Sequence, residues 1–327
     1  MEPLPPAGTD GSESLKVRDR SSAAKERHSA RAIAPSLVDR EHPLLGSRIA
    51  VPRSVSVIRP PSFSLRTIVS GMTTLFGYRD LLCTLTFFRL AIRYKQSLLG
   101  WIWAALQPLS LMIIYTFIFS RVARVTSEGI PYPLFVFSGL LPWIFFASAV
   151  SNAINGLIHY PALLTKMYFP REIIPLSYVL AALVDFAIAC VILTGLMMYY
   201  RVPLSWNALY ALPIVATLSA FTVAISMFLS SIQVRFRDVG VGLPLLLQVG
   251  VFAAPVVYPL SAVPSRFQRL YLLNPVASLI ENFRRVVLHG SGPDVGVLIT
   301  SGSISLCCLV LAYGYFKATE ATMADMI

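Results

Sequence analysis

From residue 98 to residue 316 the chain alternates long uncharged apolar runs with short segments that hold nearly all of its charge. An uncharged run of about 18 residues or more is long enough for a helix to cross a bilayer. The first run, 98–120, has 23 residues and no charged side chain. At about 1.5 Å per residue it reaches roughly 35 Å, against a hydrocarbon core of about 30 Å. Further runs occupy 134–157, 173–200, 208–232, 240–260 and 295–316. The pattern predicts an all-α membrane protein with about six transmembrane helices.

Composition excludes an ordinary soluble enzyme. Hydrophobic residues make up 56% of the chain and charged residues 13%, where soluble domains carry about 25% charge. A net charge of +11 invites a nucleic-acid partner, but the placement of the charge argues against one. Of 27 Lys and Arg, 11 lie in residues 1–78, where seven acids leave a net +4. The rest sit mostly between the apolar runs, where orientation signals and headgroup contacts fall. Residues 1–60, rich in Ser, Pro, Arg and Glu, read as a disordered cytoplasmic tail. Residues 61–97 form a linker and an amphipathic helix, and 98–320 the transmembrane domain. Without an apolar segment and cleavage site at its start, the chain is expected to insert through its internal spans. Cys83, Cys190, Cys307 and Cys308 show no CxxC spacing and no histidine cluster, so they read as packed thiols and no metal site is expected.

Six spans put both termini on one side. With the N-terminus inside, the inner segments carry nine basic residues and the outer ones seven, the tail aside. The tail's excess and the four basic residues just before the first span favour cytoplasmic termini.

Three connecting segments carry further signals. In 79–97, Leu81, Leu85, Phe88 and Ile92 share one helical face while Arg89 and Arg93 lie one turn apart on another. Its charge favours a helix in the membrane interface over an extension of the first span. Segment 159–175 is punctuated by Pro161, Pro170 and Pro175 and carries Lys166, Arg171 and Glu172. Composition fits a docking surface and a solvated loop equally well. After the fifth run, Glu281 and Arg285 stand at i,i+4, with Leu279, Phe283, Val286 and Val287 as an apolar side. That pattern fits a short helix at the outer leaflet, a partly re-entrant helix or an outer loop helix.

The stretches RYKQSLLGWIWAALQPL (93–109), YPLFVFSGLLPWIFF (132–146), LLTKMYFPREIIPLSYVLAALVDF (163–186), VRFRDVG (234–240), APVVYPLSAVP (254–264) and NPVASLIENFRR (274–285) together resemble the ABC-2 type permease family that exports polysaccharides. Its members include the membrane subunits of O-antigen and teichoic-acid exporters. The likeness spreads over roughly residues 75–320. It implies a homodimer of this subunit with two copies of a separate ABC ATPase, which holds ATP and Mg, in the bacterial cytoplasmic (inner) membrane. It also implies a lipid-linked glycan as substrate. The family's interface helix corresponds to 79–97, with Arg89, Arg93 and Tyr94. Its ATPase-coupling segment corresponds to 163–172, with Lys166, Tyr168, Phe169, Pro170, Arg171 and Glu172. Its outer gate elements fall in 264–288, with Asn274, Pro275, Glu281, Arg284 and Arg285.

The residues themselves support this division of labour. No GxxxxGK[ST] loop occurs, so the chain lacks the usual cradle for nucleotide phosphates and is not expected to be an enzyme. Sugar rings have apolar faces that slide on aromatic side chains. Tyr115, Phe117, Phe119, Phe135, Phe137, Trp143, Phe145 and Phe146 are therefore candidates for a translocation path or for packing between helices. Trp101 and Trp103 suit an interfacial belt. Asp185 lies near the middle of its run, where a carboxylate costs roughly 2.5–3.5 kcal/mol and faces a partner or water. Either a pathway or a structural role fits it, and no other run carries a basic residue at that depth. Pro244 and Pro255 bracket the fifth run, which is expected to be bent or broken. A secondary transporter would show internal repeats and paired intramembrane charges. A membrane enzyme would show a motif such as HExxH or GxSxG. Neither signature occurs.

Overall fold

The computed structural model describes residues 75–95, 100–125, 127, 129–159 and 169–326, so the tail and residues 160–168 lie outside the described residues. Among the described residues the fold is helical, without strands. α1 (Arg79–Lys95) is followed by α2 (Ile102–Tyr115), which runs on as a π-helical segment, Thr116–Val122. Then come α3 (Tyr132–His159), α4 (Ile173–Tyr199), a 3₁₀ turn (Trp206–Tyr210) leading into α5 (Ala211–Arg235), and α6 (Asp238–Ala253). The last three are α7 (Ser265–Leu273), α8 (Pro275–Val287) and α9 (Val295–Met326).

Five helices are long and apolar enough to cross a membrane: α2 with its π segment, α3, α4, α5 with its 3₁₀ turn, and α9. α3 is the central one, since its most apolar window is 78% buried while that of α2 is 11% and that of α9 is 17%. Small residues let α5 approach α3 closely. Ser230 donates to the Ala153 carbonyl at 3.0 Å while also bonding Ser226 in its own helix. Such contacts drive association where lipid leaves no hydrophobic gain between helices.

The expected span at 240–260 is not one helix. α6 has 16 residues, about 24 Å, and passes through Pro244 unbroken. It ends at Ala253 because Pro255 disfavours helical backbone at the residue before it, and Ala254 is extended. The chain then continues as irregular backbone, with Ala254, Val256 and Val257 fully buried. Free carbonyls at such a depth are tolerated only where protein groups satisfy them. Arg284 of α8 does this. Its guanidinium donates to the Pro255 carbonyl at 3.0 Å and the Val256 carbonyl at 3.1 Å, and the Tyr132 hydroxyl donates to the Val257 carbonyl.

α8 is buried within the bundle, as a partly re-entrant helix would be. Eleven of its 13 residues are buried, and it packs on α3, α5 and α9. Its Phe283 ring meets Phe186, halfway along α4, at 6.0 Å. The helix tolerates this depth because its polar side chains are engaged. Arg284 holds the broken backbone, and Asn282 accepts the Asp294 amide at 2.7 Å.

Gly139 makes the approach possible. A Cβ there would lie 2.6 Å from Arg284 Nη2 and 2.9 Å from the Val256 carbonyl oxygen. Gly139→Ala should therefore push the guanidinium off the broken backbone, at a cost of about 1–3 kcal/mol for overpacking. The expected result is a lowered unfolding midpoint for the detergent-solubilised protein. An unchanged midpoint would contradict this packing.

Candidate transport site

α1 is amphipathic in the reverse sense of a soluble helix. Phe87, Phe88 and Ile92 point outward and exposed, while Thr86, Leu90 and Tyr94 are buried. The arginine face lies on α4, where polar partners are available. Arg89 donates to the Ser177 hydroxyl at 2.7 Å and stacks over the Tyr178 ring at 3.3 Å. Arg93 meets the Asp185 carboxylate at 2.5 Å, and the Tyr94 hydroxyl donates to its other oxygen at 2.8 Å. Burial, then the Asp185 carboxylate, pushes the Tyr94 phenol up to about 12, so it stays a donor at neutral pH. Asp185 thus has a basic partner after all. The partner comes from the interface helix rather than from another span, because α1 climbs along α4 from Ser177 to Asp185.

This cluster borders a cavity of about 520 Å³ between α1, α2, α3 and α4. Its walls combine Arg93, Tyr94 and Asp185 with Gln107, Ser148 and Asn152. The last three were missed by sequence reasoning. Their only signal was a polar side chain inside an apolar run, which also describes many packed residues. A neighbouring cavity of about 350 Å³ lies between α2, α3 and α6 and includes Trp143 and Tyr115.

The aromatic candidates divide between these walls and the core. Phe145 faces the larger cavity and packs on Phe186 at 5.7 Å. Trp143 faces the smaller one, but it is buried against Gly250 and Phe146. Phe146 stacks on Phe221 at 6.0 Å. Phe135 and Phe137 are fully buried, whereas Phe117 is exposed. Trp101 and Trp103 are about half exposed, and Trp101 stacks on Tyr94 at 4.6 Å.

Lys166 and Tyr168 lie outside the described residues, whereas Phe169 to Glu172 are described. Arg171 and Glu172 turn toward α9 instead of outward. Arg171 donates to the Glu320 carbonyl. Glu172 is 2% exposed and pairs with Lys317 at 2.5 Å.

The Asn274 side chain accepts the Val276 amide at 3.1 Å and Pro275 occupies the first turn, so this pair starts α8. Glu281 pairs with Arg284 at 3.0 Å and not with Arg285, as its spacing suggested. Arg284 is drawn inward by carbonyls that the sequence does not reveal. Arg285 remains exposed, on a cavity of about 400 Å³ shared with Glu281, His289 and Asp294.

The described residues form a multi-span helical bundle with a polar cavity between its helices. The chain belongs to the ABC-2 type transporter family, which it matches over residues 80–288. It is 32% identical over 256 residues to the "O-antigen export system permease protein RfbA" of Myxococcus xanthus, covering 77% of this chain and 97% of that protein. It is 34% identical over 214 residues to a Klebsiella pneumoniae protein of the same name, covering 64% and 81% of the two chains. It is also 23% identical over 245 residues to the "Polysialic acid transport protein KpsM" of Escherichia coli, covering 71% and 90%. The chain is therefore an ABC-2 type transport protein similar to export permeases.

A double-mutant cycle with Arg93→Ala and Asp185→Asn should give a coupling of about 0.5–1.5 kcal/mol, as expected for a partly exposed polar pair between membrane helices. The check is thermal unfolding of the two single variants and the double variant. Additive effects would mean that α1 is not latched to α4 by this pair.

Proposed function

We propose that this protein is the permease subunit of an ABC exporter that moves a lipid-linked polysaccharide of the O-antigen type across the bacterial cytoplasmic membrane. The observation that carries this reading is the likeness to O-antigen export permeases at 32–34% identity, which reaches 97% of the length of one of them. The polar cavity between α1, α2, α3 and α4 supplies hydroxyl and amide partners for sugar groups inside a bundle that otherwise presents apolar surface to lipid. Arg93, Tyr94, Phe145 and Asp185 border this path, and Trp143 and Phe146 pack behind it.

The complex contains two copies of this chain and two copies of the ATPase, which binds ATP and Mg. The apolar outward faces of α2 and α6 suit contact with a second copy. They include Ile113, Phe117, Leu245 and Val249, all exposed within one protomer. The segment 163–172 meets the ATPase at the cytoplasmic side, where both termini lie. Arg89, Arg93 and Tyr94 hold the interface helix against α4. Asn274, Pro275, Glu281, Arg284 and Arg285 form the outer gate with α8. The likeness to a polysialic acid transport protein favours a capsule-type glycan as the second reading.

The expected result of purifying the protein from its own host is a co-purifying P-loop ATPase that is lost on substitution of Lys166 and Tyr168. Deletion of the gene should leave the lipid-linked glycan at the cytoplasmic face. Export that runs on a proton gradient, with no ATPase bound, would refute the proposal.

A further inference from the structure

We infer that α9 is a strut connecting the inner segment to the buried helix α8, with the Lys317–Glu172 ion pair as its inner joint. This rests on the reading of 163–172 as the ATPase contact. The inner attachment is dense. Glu172 Oε1 receives Lys317 Nζ at 2.5 Å and the Tyr313 hydroxyl at 3.3 Å. Lys317 also reaches Glu320 at 2.9 Å, and Arg171 donates to the Glu320 carbonyl. Phe169 packs against a cluster that includes Tyr313, Phe316 and Met323. Two consecutive residues at the end of the segment therefore grip successive turns of one helix.

The outer attachment is to α8. The Asp294 amide, at the start of α9, donates to Asn282 Oδ1 at 2.7 Å, and the Asp294 carboxylate accepts the Val297 amide at 3.2 Å. Two residues beyond Asn282 stands Arg284, which holds the broken backbone at Pro255 and Val256. Between Asp294 and Lys317 α9 runs 23 residues, about 35 Å, and packs along α5 and α8.

The chemistry of the inner joint suits transmission better than simple docking. Glu172 is almost fully buried, and its Oε2 has no hydrogen-bond partner among the described residues. A buried ion pair is a weak way to add stability, since well-packed apolar residues serve as well. It is, however, costly to pull apart, because separation leaves an uncompensated buried charge. A displacement of the segment is therefore passed to Lys317 and along α9 to Asn282. Glu172 and Lys317 act as positioning residues and do not contact substrate.

The test uses the full complex in lipid nanodiscs with E172Q, K317Q and the exchange E172K/K317E, reading ATPase retention, ATP hydrolysis and glycan export separately. The expected result is that K317Q keeps the ATPase and hydrolyses ATP while export falls roughly tenfold or more, and that E172Q loses export at least as far. The exchange restores export toward the wild-type rate. Unchanged export in E172Q and K317Q with the ATPase bound would overturn the inference. K317Q decides the matter if E172Q does not fold, since Lys317 sits at the edge of the cluster with 21% of its side chain exposed. Failure of the docking reading would look different: a K166A/Y168A variant would retain the ATPase as well as the wild type does.

Discussion

The buried guanidinium of Arg284 is the interaction on which the half of the bundle around α8 depends. A helix that stops at Ala253 leaves its last carbonyls and those of the following residues without helical partners. Water satisfies such groups on a soluble protein, but inside a bilayer only the protein can. Arg284 brings a planar fork of donors to two successive carbonyls, and its remaining charge is met by Glu281 and by the face of Phe135 at 3.8 Å. One side chain thereby makes a helix that stops at Ala253 and the buried α8 compatible with each other. Gly139 leaves the room for it.

Elsewhere the bundle places charge where a partner chain segment awaits it. Arg93 and Asp185 join α1 to α4, and Glu172 and Lys317 join the inner segment to α9. Both pairs link a connecting element to a span. Connecting elements are therefore held by polar contacts, which are directional and separable. The spans are held to one another by close packing of small residues and aromatic rings. An exporter needs both properties: a core that keeps its shape and attached elements that answer a partner.

Much of this was legible in the sequence. Span positions follow from the uncharged runs, and α3, α4 and α5 begin and end within a few residues of them. The asparagine and proline at 274–275 are a helix start in any context. The depth of α8 was not legible, because its pattern of apolar and charged residues is the same for a surface helix as for one whose arginine finds buried carbonyls. Nor was the partner of Asp185, since a search confined to spans passes over Arg93 on the helix before them. Arg171 and Glu172 read as surface charge because loops usually carry it. Only the fold shows that Lys317, some 145 residues later, comes to meet them.

The burial of α8 is tested most directly by cysteine accessibility. In a background without the native cysteines, Phe283→Cys and Arg285→Cys would be exposed in turn to a polyethylene-glycol maleimide on the solubilised complex. A buried α8 gives rapid labelling at position 285 and protection at position 283, relieved on denaturation. Equal labelling at both positions would place α8 on the surface and contradict the account.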